Sequence, residues 1–337
     1  MKMKEWQEVL VEVFKKKTDS LINIVALGLA VYYIPHRWLQ VLLSLFIVYS
    51  MYRILENILS LKREKHVPLA VVVYGDESTR NAFIDDSLRQ MDKWHFDEVT
   101  FSGLGVNRDD WCISHSGDLP ADAEQWKREV QEFQHKLDLI KAKLKGPEIF
   151  HIFLKCRIAL AFGLGAVVGT WSNVILHQEI PGEFKPVIYL DNKTGLPYHH
   201  AIHTIKNRVE PPYKFIQPTI PERLTTPTLV ALHLASHDPS PYVKMEAENQ
   251  NLSCVIIDNK YNNTLTEEDW FQPAQEVASV LRKLREQTDE LKIYASCPIA
   301  LAFAIGMALG DQFPASILHF FAEDNTYHFV LKLNKLK

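Results

Sequence analysis

Fourteen residues occur twice in this chain of 337, and that duplication limits what it can fold into more than any other feature. Residues 156–169 read CRIALAFGLGAVVG and residues 297–310 read CPIALAFAIGMALG. Eight of the fourteen aligned pairs are identical, among them Cys156/Cys297, Phe162/Phe303, Gly165/Gly306 and Gly169/Gly310. After a slip of one residue, ILH at 175–177 matches ILH at 317–319. Shared cysteine and glycine positions argue for an internal duplication, and hence for two similar halves related by a pseudo-twofold axis.

The repeated run has three candidate roles. As a membrane span it is too short, since about 14 helical residues reach only ~21 Å against a hydrocarbon core of ~30 Å. As a dinucleotide loop it has the glycines Gly163, Gly165 and Gly169, but the apolar run starts before them, at Ile158, and the second copy has Ala304 in place of Gly163. A cofactor fingerprint needs its glycines in the turn that precedes the helix. The remaining role is a buried helix whose small residues permit close packing.

Around each copy the same order recurs. The first half reads as a strand and polar loop at 68–79, an amphipathic helix at 121–145, a strand at 148–156 and the repeated helix. The second reads as strands at 227–238 and 253–259, a helix at 273–290, a strand at 291–297 and the second copy. Repeated strand–helix–strand units predict parallel sheets in an α/β, Rossmann-type architecture of two subdomains, 67–215 and 216–337.

The first sixty residues have a different character. SLINIVALGLAVYYIP (20–35) and WLQVLLSLFIVYSMY (38–52) carry no charge, and a connection too short for anything but a tight hairpin joins them. With flanking residues each approaches the ~20 residues of a span. Lys15, Lys16 and Lys17 precede the pair, and Arg53, Lys62, Arg63 and Lys65 follow it. That asymmetry predicts a two-helix transmembrane hairpin over 18–60 with both termini cytoplasmic. Residues 1–17 form an amphipathic segment with Trp6, Val9, Leu10, Val13 and Phe14 on one face, suited to a lipid interface. A net charge of −4 gives no sign of a duplex-binding surface, and four scattered cysteines form neither a disulfide framework nor a zinc ribbon.

Ligands of open α/β sheets bind at the carboxyl ends of the strands, where helix N-termini attract anions. Those junctions are Lys155-Cys156-Arg157 and Ser296-Cys297-Pro298, with Tyr74-Gly75-Asp76 and Ser236-His237-Asp238 after the first strand of each half. Lys155 and Arg157 make the first junction cationic and suited to a phosphate, unless both simply extend into solvent. Tyr198 and His199 lie in a basic, aromatic linker that either walls the pocket or is a solvated connection. Trp171 is a candidate for base stacking or protomer contact, with core packing the alternative. No GxSxG, HExxH or P-loop pattern occurs, no metal site is expected, and the chain reads as a non-enzyme without a resident cofactor.

The paired segments HIFLKCRIALAFGLGAVVG and IYASCPIALAFAIGMALG resemble the SAVED domain, a fusion of two CARF-like Rossmann units, over roughly residues 67–337. Together with a two-helix membrane hairpin, they resemble the two-transmembrane SAVED effectors of CBASS anti-phage systems. The resemblance implies a sensor of a cyclic di- or trinucleotide made by a partner CD-NTase-type cyclase. On binding, such an effector oligomerises and disrupts the bacterial inner membrane in abortive infection. It equally accommodates a type III CRISPR-linked effector, and a membrane-tethered Rossmann-type enzyme with a nucleotide cofactor is the alternative class. Arg157 stands where the usual motif and the second copy have proline, so contacts at that position are expected to be particular to this chain.

Overall fold

The computed structural model describes residues 65–336 except 95, 97, 145–147, 181–182, 192–198 and 262–268, together with 41, 44–45, 47–49 and 51–52. The segment 1–17 and most of the hairpin expected over 18–60 therefore lie outside the described residues. Among the described residues no helix is long and apolar enough to cross a membrane. The few described between 41 and 52 are helical, and Val41, Leu45, Val48, Tyr49, Met51 and Tyr52 are each more than half exposed.

The first half contains β1 (Lys65–Val73), α1 (Glu77–Met91), α2 (Glu98–Gly103), α3 (Arg108–Trp111), β2 (Cys112–His115) and α4 (Ala123–Leu144). It continues with β3 (Glu148–Lys155), α5 (Ile158–Val168), β4 (Asn173–Ile180), β5 (Glu183–Leu190) and the short β6 (His199–His200). The second half contains β7 (Ile216–Thr219), β8 (Thr228–His233), α6 (Ser240–Gln250), β9 (Cys254–Asn259) and α7 (Phe271–Arg285). It ends with β10 (Leu291–Ser296), α8 (Ile299–Leu309), β11 (Ala315–Phe321) and β12 (Thr326–Lys332).

Two six-stranded sheets result, ordered β2-β1-β3-β4-β5-β6 and β12-β11-β10-β8-β9-β7. Removing the edge strands β6 and β7 leaves the same sequence of strands in each half, second-first-third-fourth-fifth, so the duplication read from fourteen residues extends over the whole architecture. The sheets are mixed rather than purely parallel. β5 runs antiparallel to β4, β12 to β11 and β7 to β9. A hairpin closes each sheet on the side where no crossover helix is required.

Local chemistry accounts for the elements that frame the later argument. Val67, Leu69, Ala70, Val71, Val72 and Val73 are all buried, as an inner strand covered on both faces requires. Asp76 ends the following turn and caps α1, its carboxylate accepting from Thr79 N at 2.7 Å. α4 buries Trp126, Val130, Phe133, Leu137, Ile140 and Leu144, a stripe at helical spacing. α7 ends at Arg285, short of the 290 that amphipathic spacing predicts.

α5 and α8 are apolar on every side because they form the centre of the molecule and pack on each other. A Cβ at Gly165 would lie 1.9 Å from the Phe303 carbonyl oxygen, and one at Gly306 would lie 2.2 Å from the Phe162 carbonyl oxygen. The contact is backbone on backbone and reciprocal, so the repeated glycines are packing residues and not a cofactor loop. Gly163 is less constrained, its neighbours being the side-chain ends of Leu331 and Val130. Gly165→Ala should lower stability by about 3 kcal/mol, the upper range for overpacking a tight core. Gly103→Ala, where a Cβ would meet nothing within 4 Å, should be neutral or slightly stabilising. Urea unfolding of the two variants beside the wild type checks the contrast.

Candidate ligand site

In a sheet of this order the strand connections reverse between the first and third strands, and that switch point opens a crevice at their carboxyl ends. In the first sheet it lies between β1 and β3, where Val72 pairs with Lys155. In the second it lies between β8 and β10, where His233 pairs with Ser296. The α5–α8 crossing sets each helix N-terminus against the other half: Ala300 N donates to Gln178 Oε1 on β4 at 3.3 Å. Arg157, at the N-cap of α5, acts electrostatically on His319 of β11. The two mouths thus open on a common rim.

The first mouth is built from a turn and a cation cluster. Gly75 sits at φ +87°, a conformation that favours glycine, and its carbonyl accepts from Arg80 Nη1 at 2.8 Å. The Arg157 guanidinium stands 5.5 Å from the centre of the Tyr74 ring and is ion-paired with Asp118. Lys155 Nζ lies 5.5 Å from the centre of the Phe83 ring. Burial pushes the Tyr74 phenol up, with Arg157 opposing it. Burial, and then the Arg157 charge, bring His319 down to about 4. Arg80, Lys155 and Arg157 together can neutralise and hydrogen-bond phosphate oxygens.

The second mouth has the same strand order, a longer turn between β8 and α6, and different chemistry. His233 Nδ1 lies 3.2 Å from Asp258 and 3.6 Å from Asp238. His237 is exposed, its Nε2 3.1 Å from the Tyr327 hydroxyl and its ring 5.4 Å from that of Phe320. Asp238 is exposed; its slight burial works upward, and hydrogen bonds from Ser240 hold its carboxyl below the ordinary range. Burial pushes Tyr327 up to about 12.

The remaining candidates separate. Cys156 and Cys297 are buried in the core, and burial pushes the Cys156 thiol up to about 12, so the pair is shared for packing and offers no surface to a ligand. Ser296 is buried, while Pro298 caps α8 and Ser236 is exposed. Trp171 is 85% exposed, which rules out core packing. It is also far from the mouth: Asn173 is level with Ile149, six residues before Lys155, so ~20 Å separates them at the ordinary strand rise. His199 lies at that same far end, its Nδ1 2.7 Å from the buried Asp191 after β5. Tyr198 lies outside the described residues.

The linker runs along α7 instead of across the mouths. The buried Glu276 accepts from the backbone N–H of Lys214 and Phe215 at 2.9 Å and of Ile216 at 3.3 Å, and Arg208 pairs with Glu286. The rim residues that sequence reasoning did not name are Arg80, Asp118, Gln178, His319, Phe320 and Tyr327. One signal for three of them was available: Gln178, His319 and Phe320 lie at the ends of the two ILH runs, although the register sets those runs one residue apart.

No family model matches the sequence, and no curated protein does. Among solved structures, the Acinetobacter baumannii Cap4 SAVED/CARF-domain containing receptor with the cyclic trinucleotide 2'3'3'-cAAA matches at a TM-score of 0.51 and 12% identity. The match covers 86% of this chain and 56% of that one. The Moraxella osloensis Cap4 SAVED/CARF-domain containing receptor gives a TM-score of 0.48 and 13% identity over 88% and 60% of the two chains. This chain thus spans a little over half the length of those receptors. Its fold is the SAVED/CARF fold.

A titratable chain also crosses β1, β3 and β4, starting at the end of the sheet away from the first mouth. His66 Nδ1 lies 2.9 Å from His151 Nε2, and His151 Nδ1 lies 3.0 Å from His177 Nε2. His177 Nδ1 is buried with no hydrogen-bond partner. A proton on Nε2 of each ring leaves only a bare lone pair there, whereas the opposite tautomers would strand a donor. Burial lowers His151 well below the ordinary range and brings His177 down to about 3. The unfolded chain then binds protons that the folded one refuses, so stability is complete above pH ~6.5 and falls as the pH drops towards 3. Thermal unfolding at pH 7.5 and 4.5 should show a lower Tm in acid, with up to ~1.4 kcal/mol lost per pH unit for each buried histidine.

Proposed function

We propose that this chain is a membrane-anchored receptor for a cyclic oligonucleotide, a di- or trinucleotide supplied by a partner cyclase, and that binding drives self-association and membrane disruption in antiviral defence. The observation that carries the receptor reading is the common rim, where two switch-point mouths meet and one presents Arg80, Lys155 and Arg157. A ring of nucleotides offers phosphates and bases around one closed outline, which suits paired mouths that differ in chemistry. The SAVED/CARF fold, found in a receptor that binds a cyclic trinucleotide, supports the same ligand class. The anchor is the hairpin of 18–60, and the exposed apolar residues between Val41 and Tyr52 support it. Trp171 is then a contact between protomers. The protein acts without catalysis, at the inner membrane of a bacterium.

At the rim Asp118 occupies the Arg157 guanidinium that a phosphate would take, so the two compete. Calorimetry of the full-length chain in detergent, with cyclic triadenylates and cyclic dinucleotides, tests the receptor reading. Arg157→Glu and Lys155→Glu should each weaken binding about tenfold or more, and Asp118→Asn should tighten it several-fold by removing the competing carboxylate. Failure of every ring to bind the wild type below tens of micromolar would sink the proposal. Dye release from vesicles carrying the full chain, on addition of the ring that binds, tests the membrane step.

A further inference from the structure

The duplication supplies an internal control, because the strand-to-helix junction and the fourth strand of the first mouth each have a counterpart on the second. Lys155 corresponds to Ser296 and Arg157 to Pro298. Leu176 is level with Ile152 and Ile317 with the equivalent Ile293, so Glu179 corresponds to Phe320. Charge on one mouth is replaced by an aromatic or uncharged group on the other. The helix terminus differs too: the Gln178 side chain, from the opposite half, already accepts from Ala300 N and takes one of the N–H groups a phosphate would use. In place of cations the second mouth holds Asp238 and Asp258 on either side of His233, an arrangement that repels anions. Beside them the exposed His237 ring packs at a tilt of 39° against Phe320 and is fixed by its hydrogen bond to Tyr327.

We propose that the second mouth is the base-reading half of the site, where a nucleobase stacks on His237 and Phe320 and donates its exocyclic amine to Asp258. The assignment rests on the cyclic-oligonucleotide reading and adds the division of labour within it: phosphate to the first half, base to the second. Asp258 is the better acceptor of the two carboxylates, because Asp238 also receives the Ser240 N–H at 2.8 Å. A carboxylate has about four acceptor positions, so the His233 contact leaves room for an amine. Adenine, guanine and cytosine carry that amine and uracil does not, which makes the mouth a filter against uridine. Stacking is tolerant of base identity, so discrimination falls to the carboxylate and general affinity to the rings.

The test is calorimetry of the full-length chain in detergent with cyclic triadenylate and cyclic triuridylate of one linkage. The wild type should prefer the adenylate about tenfold or more. Phe320→Ala, and His237→Ala at an exposed position that does not burden folding, should weaken both rings by about tenfold. Asp258→Asn should reduce the adenylate preference to about threefold or less, since an amide also offers a donor to the uracil carbonyl. Unchanged affinity in His237→Ala and Phe320→Ala, or an unchanged preference in Asp258→Asn, would overturn the base-reading assignment while leaving the receptor standing. A wild type that binds neither ring, nor any other cyclic oligonucleotide, would overturn the receptor reading itself.

Discussion

The molecule is organised by one contact, the crossing of α5 and α8 at Gly165 and Gly306. Each glycine faces a carbonyl oxygen of the opposite helix, at Phe303 and at Phe162, with no room for a methyl group. Side chains in a core can repack when a neighbour changes, but backbone pressed on backbone has no rotamer to move into. The crossing therefore holds the helices at one distance, and the strands that lead into them follow. Both helix N-termini emerge on the same rim because of it. The close approach also explains why these helices show no polar face, since each is enclosed by the sheets and by its twin.

From that fixed frame the two halves diverge where divergence is cheap. Inside, Phe162 and Phe303, Ala161 and Ala302, Cys156 and Cys297 stay the same, because each fills an equivalent volume in the common core. At the rim the side chains end in solvent, and a change there costs little stability. Lys155 against Ser296, or Glu179 against Phe320, leaves the strand in place and alters what the mouth attracts. A symmetric scaffold can present an asymmetric surface for this reason alone.

The duplication made the halves legible, and the mainly apolar runs of β1, β3, β8 and β10 placed the inner strands. The antiparallel strands β5, β12 and β7 were not legible, because a strand covered on one face alternates weakly and gives no sign of its direction. β6, with two residues, is below any periodic signal. In the site, Lys155 and Arg157 stood out because they flank the repeat. Asp118 did not, since its partner Arg157 is 39 residues away and nothing local announces the pairing. Trp171 and His199 were grouped with the pocket because sequence does not show which end of a sheet a loop occupies; register does, and it places both at the far end. The paired cysteines misled for a related reason: identity between the copies reflected packing and not chemistry.

Strand β1 joins the first mouth to the opposite end of its sheet. Its last residue leads into Tyr74 and the first mouth, and its second, His66, begins the buried histidine chain just after the segment that ends at Glu64. The strand is paired on both sides, with β2 and with β3, and it is buried along most of its length. Sliding it by one residue would turn every side chain to the opposite face and would also break the His66–His151 hydrogen bond. β1 is therefore a rigid rod, unable to carry a signal by changing its register. Under the proposed function, an event at the mouth reaches the segment before Lys65 only as movement of the whole sheet or through association with another copy. That constraint favours assembly over internal rearrangement as the step that couples ligand to membrane.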